Sequence, residues 1–163
     1  MQNDISYIWT RVNKRWLASG FLAGLGAGLV MLAFAAFLST NLAREISFPA
    51  KLIGAALFGG KALATDSIVG GTAGLILHLT LSGFFGLVFA QFVLETSRKR
   101  VLIFLGALAG LAVWLFWSMM FMPSFNEAMF FFLPKLVSLL LHLVFGVTFG
   151  FLIVLLRSFL LNK

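Results

Sequence analysis

His78 and His142 are the only ionisable side chains inside the long apolar runs of this chain. They hold the same place in two matching stretches: Leu75–Ala90 reads LILHLTLSGFFGLVFA, and Leu139–Val154 reads LLLHLVFGVTFGFLIV. Several chemistries are open to imidazoles in such surroundings. A neutral ring can donate to a carbonyl or hydroxyl on a neighbouring helix and fix the packing, which is the leading expectation. The alternative is bis-histidine ligation of a b-type haem by His78 and His142, with small residues leaving room for the porphyrin. A proton-handling or pH-sensing pair is a third reading, although no Asp or Glu lies within the runs to continue a relay. A transition-metal site would need further donors, for which Met119, Met120 and Met122 are the nearby soft candidates.

The histidines need helices to hold them. Residues three, four and seven apart share a helical face. His78 therefore lines up with Gly71, Gly74, Ser82 and Phe85, and His142 with Lys135, Ser138, Gly146 and Phe149. Both fall on a stripe of small residues, so both are expected to face protein. Small residues recur at four-residue spacing in every apolar run, as at Gly20, Gly24 and Gly28 or Gly106 and Gly110. In lipid, that spacing lets backbones approach closely. Packing within one bundle is the first reading of the stripe, and a dimerisation face the second.

Composition explains the setting. Of 163 residues, 61% are hydrophobic and 10% charged, with a mean hydropathy of +1.07. Soluble domains keep about a quarter of their residues charged, so an integral membrane protein of one domain, 1–163, is expected. With no cysteine, disulfides, thiolate metal sites and cysteine nucleophiles are excluded. The net charge of +7 sits in short clusters beside apolar runs. That pattern points to anionic lipid headgroups and not to nucleic acid.

Four spans follow along the chain: Trp16–Ser39, Ile68–Phe92, Val101–Met122 and Leu136–Leu156, the last opened by Pro134. Met1–Arg15, with Tyr7, Trp9 and Arg11, reads as an amphipathic lead-in at headgroup level. The first run exceeds a signal-peptide core of about 7–15 residues, so it is expected to be retained. Pro49–Leu63 is apolar but too short to cross a core of about 30 Å. It is expected as an interfacial or partly re-entrant helix with its lysines snorkelling outward. Arg11, Lys14, Arg15, Arg98, Lys99, Arg100, Arg157 and Lys163 fall on one side, and Arg44, Lys51, Lys61 and Lys135 on the other. The positive-inside rule then puts both termini in the cytoplasm.

The second and fourth spans align without gaps at an offset of 64 residues. The first and third align more weakly, Gly24 with Gly106 and Gly28 with Gly110. The expected fold is thus all-α: a four-helix membrane bundle of two repeated hairpins, about 16–96 and 97–163, with short interfacial helices in the outer connections. Its two copies would be related by an axis along the membrane normal.

Leu77-His78-Leu79 followed by Gly83, Phe85 and Gly86, with Leu141-His142-Leu143, Gly146, Phe149 and Gly150, resembles small bacterial inner-membrane proteins of the YagU-like and related unknown-function families. The glycine-rich openings at Gly24–Val30 and Gly106–Val113 are similar too. The resemblance implies a bacterial inner (cytoplasmic) membrane protein and transfers no catalytic residue. No Ser-His-Asp set, phosphate loop or carboxylate cluster can be assembled, so an enzyme is not expected. The leading expectation is a non-enzymatic accessory or interaction subunit, with a membrane-protein partner or self-association. Haem-based redox chemistry is the alternative, and a small transporter or channel the third.

Overall fold

The computed structural model describes residues 13–161; of the lead-in Met1–Arg15, the part with Tyr7, Trp9 and Arg11 lies outside them, as does Lys163, while Lys14 and Arg15 belong to the first helix. Asn13 opens the first helix: its side-chain oxygen accepts from the Arg15 N–H at 2.9 Å, satisfying one of the donors that a helix start leaves bare. Helix α1 then runs Lys14–Asn41. It ends in a left-handed turn at Ala43 (φ 54°), with the Arg44 N–H donating back to the Ser39 carbonyl at 3.0 Å. The chain reverses there into α2, Phe48–Phe58, with proline in its first turn where no N–H is needed. A 3-10 turn, Gly59–Leu63, follows. Next come α3, Ile68–Phe92, N-capped by the Ser67 hydroxyl, and α4, Lys99–Phe116.

At Trp117–Phe121 the fourth helix takes a π turn before continuing as the short α5, Met122–Phe125. Such a bulge shifts the face that follows it. Met119 and Met120 are left exposed, while Met122 turns inward. Helix α6, Glu127–Phe132, is capped by Asn126, and α7 covers Lys135–Leu161. The described residues are all helix and connection, without strands. Four helices, Lys14–Asn41, Ile68–Phe92, Lys99–Phe125 and Lys135–Phe159, are long and apolar enough to cross a membrane.

The four long helices form three sides of a square. Helix α1 packs along α3, α4 along α7, and α1 along α7, whereas α3 and α4 make at most marginal contact. Glycines set the two hairpin seams. A Cβ at Gly24 would strike the Ser82 carbonyl, and one at Gly28 the Ser82 side chain. In the second hairpin a Cβ at Gly106 would strike Gly146, and one at Gly110 the His142 carbonyl and Gly146. At one end the interior is filled by Trp16, Ala23, Ala27, Phe89, Phe149 and Ile153, with the Phe89 and Phe149 rings edge to face at 4.8 Å. The Trp16 indole N–H donates to the Ala90 and Val93 carbonyls at 2.9 and 3.0 Å. Arg157 donates to the carbonyls of Glu95 and Ser97, both at 2.6 Å, tying α7 to the α3–α4 turn. That end is closed. The opposite end is splayed and roofed by α2 and α6.

One expectation fails in the roof. Lys51 does not snorkel outward: it is 4% exposed. Its ammonium has three donors, and they meet Glu45 Oε2 at 2.7 Å and the carbonyls of Ala64 and Thr65 at 3.0 and 2.7 Å. The 3-10 turn brings those carbonyls back over α2, so the charge finds protein partners without reaching water. Lys61, by contrast, is exposed.

Candidate functional site

Beneath that roof lies a cavity of about 220 Å³ walled almost wholly by apolar side chains. All four long helices contribute to it, through Met31 and Ala35 of α1, Leu81 and Phe85 of α3, Val113 of α4 and Val137 of α7. His78 and His142 line its inner part, so the structure brings both predicted site residues to one space. His78 is half-buried and His142 is 8% exposed.

Their bonds differ. His78 Nε2 lies 3.0 Å from the Gly28 carbonyl of α1, the helix-to-helix bond expected of it. His142 Nδ1 lies 2.8 Å from the Ser138 carbonyl four residues earlier in its own helix, which corrects the expectation of an interhelical partner. A carbonyl only accepts, so each bonded ring nitrogen carries the hydrogen, and the neutral rings keep their lone pairs on His78 Nδ1 and His142 Nε2.

These residues do not fit a haem. Axial histidines usually present Nε2, and in His78 that atom is taken by Gly28. The volume is also below the roughly 300 Å³ at which cofactor pockets begin. A transition-metal site fares no better on its donors. Met119 and Met120 are exposed, only Met122 of that trio lines the cavity, and no group of three or more His, Cys, Asp or Glu exists among the described residues.

Three residues to which the sequence reading gave no role at the site shape it. Asn126, buried, donates to the Leu52 carbonyl at 2.8 Å and accepts from the Met129 N–H at 3.0 Å, pinning α6 to α2. Its place before Glu127 and an apolar run is a helix-start signal that could have found it. Arg44 stands at the rim, its guanidinium 4.4 Å from the Phe48 ring and 5.7 Å from that of Phe132. Ser138, 1% exposed, lines the inner wall with an unpartnered hydroxyl. Comparison with protein-family models, with curated proteins and with solved structures finds no match for the chain.

Proposed function

We propose that this chain is a multi-pass protein of a bacterial inner membrane, built from two duplicated hairpins, which binds partners and catalyses no reaction. Both termini lie in the cytoplasm with the α3–α4 turn, and the α2–α6 roof faces outward. Among the described residues, Lys14, Arg15, Arg98, Lys99, Arg100 and Arg157 gather at the turn end against Arg44, Lys51, Lys61 and Lys135 at the roof, in the sense of the positive-inside rule. The duplication is supported by register: Gly24 on Ser82 corresponds to Gly106 on Gly146 at the aligned positions, and Gly28 on Ser82 to Gly110 on Gly146.

The observation that carries the binding role is the open side of the square. Helices α3 and α4 do not close on each other. In a bilayer, such a side is covered by lipid, by a second copy or by another membrane protein. Covered by protein, that side makes the chain an accessory subunit or homo-oligomer. The test is its particle mass after extraction from native membranes into lipid nanodiscs. A mass above that of one chain is expected. A wild-type particle holding one chain alone would contradict the reading.

A further inference from the structure

The geometry points to the cavity as the site of one anionic membrane phospholipid, with its phosphate on Arg44 and one acyl chain reaching down to His78 and His142. The inference rests on the membrane reading above and adds a ligand to it.

Depth is the first argument. Arg44 stands at the rim beyond the end of α1, in the connection that would lie at headgroup level. His78 is ten residues past Ile68 in α3, about 15 Å along the axis, or half of a hydrocarbon core of about 30 Å. The cavity thus spans one leaflet, the length over which a phospholipid lays its chain. Its volume of about 220 Å³ holds one chain segment and not two. Entry need not part a tight backbone seam, because α3 and α4 both line the cavity and make at most marginal backbone contact.

Charge is the second. The Arg44 guanidinium lies on the Phe48 and Phe132 rings and makes no hydrogen bond or ion pair with a described residue. The nearest acid in sequence, Glu45, is engaged by Lys51 at 2.7 Å. An arginine held in place by aromatic faces, with its N–H fork unspent, is matched to a phosphate. The Phe48–Phe132 pair, 6.4 Å between centroids, also joins α2 to α6, so the roof itself presents the cation.

The test uses the full chain in nanodiscs of equimolar phosphatidylglycerol and phosphatidylcholine, followed by native mass spectrometry of the released protein. The expected result is one retained phospholipid per chain, with phosphatidylglycerol favoured about fivefold. Arg44→Gln, a change at an exposed position, should abolish the preference and leave a retained lipid of either kind. Ala35→Phe, which fills the cavity, should abolish retention. Retention that follows the bulk lipid ratio and ignores both changes would overturn the proposal, as would displacement of the phospholipid by added oleate at the same stoichiometry. If the wild-type chain does not enter nanodiscs at all, the membrane reading fails instead, and the two failures are distinct.

Discussion

His78 Nε2 lies 3.0 Å from the carbonyl oxygen of Gly28, so a side chain of α3 is bonded to the backbone of α1 across the first hairpin seam. A Cβ on Gly28 would meet the ring only at ordinary contact distance, 3.5 Å from Nε2, but would collide with Ser82. His142, at the matching place in α7, is bonded within its own helix. The two substitutions should therefore differ. His78→Leu removes an interhelical bond, worth about 0.6–1.7 kcal/mol in membrane bundles, and His142→Leu removes none. Unfolding in mixed detergent micelles should find the first variant the less stable. Equal losses would mean that the asymmetry has no energetic weight.

The seams themselves can be probed by adding one carbon. Gly24→Ala and Gly110→Ala place a methyl group against backbone atoms of Ser82 and His142, which cannot rotate away. Each should cost about 1–3 kcal/mol by overpacking. Gly60→Ala, with nothing within 4 Å, is the control and should stay within about 0.5 kcal/mol. The same denaturation assay checks all three.

How much of this was legible in the sequence depended on what fixes each feature. Span positions follow from apolar length, and the ends of α3 at Ile68 and Phe92 coincide with the expected ones. The glycine spacing likewise foretold which faces would meet. It could not foretell which helices would be neighbours around the square, because Gly106 and Gly24 say that a backbone comes close without saying whose. The open α3–α4 side and the cavity were therefore invisible. Lys51 was misplaced because its acceptors, the carbonyls of Ala64 and Thr65, belong to a turn whose path no residue pattern announces. The π turn was missed as well; Pro123, which lacks an N–H, was its one local hint.

Lys51 gives a prediction of its own. Lys51→Met should strip two part-buried carbonyls and Glu45 of a charged donor, a loss of about 1–3 kcal/mol. Acid should do part of the same. The Glu45 carboxyl is held below the usual carboxylate range by the hydrogen bond from Lys51 and then by that from Ser47. A carboxylate lowered by folding stabilises the fold above its ordinary pKa of about 4, and that contribution is lost as pH falls through the lower folded value. Wild-type stability should thus decline at the acid end of a titration, and the Lys51→Met variant should decline less. Parallel curves would separate Glu45 from the effect.

Ala43 offers the opposite sign. It takes a left-handed conformation at the end of α1 (φ 54°), which costs a residue with a Cβ about 1–2 kcal/mol relative to glycine. Ala43→Gly should relieve part of that strain and raise the melting temperature while leaving the Arg44 rim in place. A lowered melting temperature would contradict this account of the turn.

The placement of the bundle in the bilayer can be read directly, because the chain has no cysteine of its own. Single cysteines at Thr65→Cys, in the roof connection, and Thr96→Cys, in the α3–α4 turn, would be exposed to an impermeant maleimide in intact spheroplasts, with both native side chains lying at the surface. Labelling at position 65 in intact cells, and at 96 only after permeabilisation, is the predicted result. Labelling at 96 in intact cells, or at both positions alike, would contradict it.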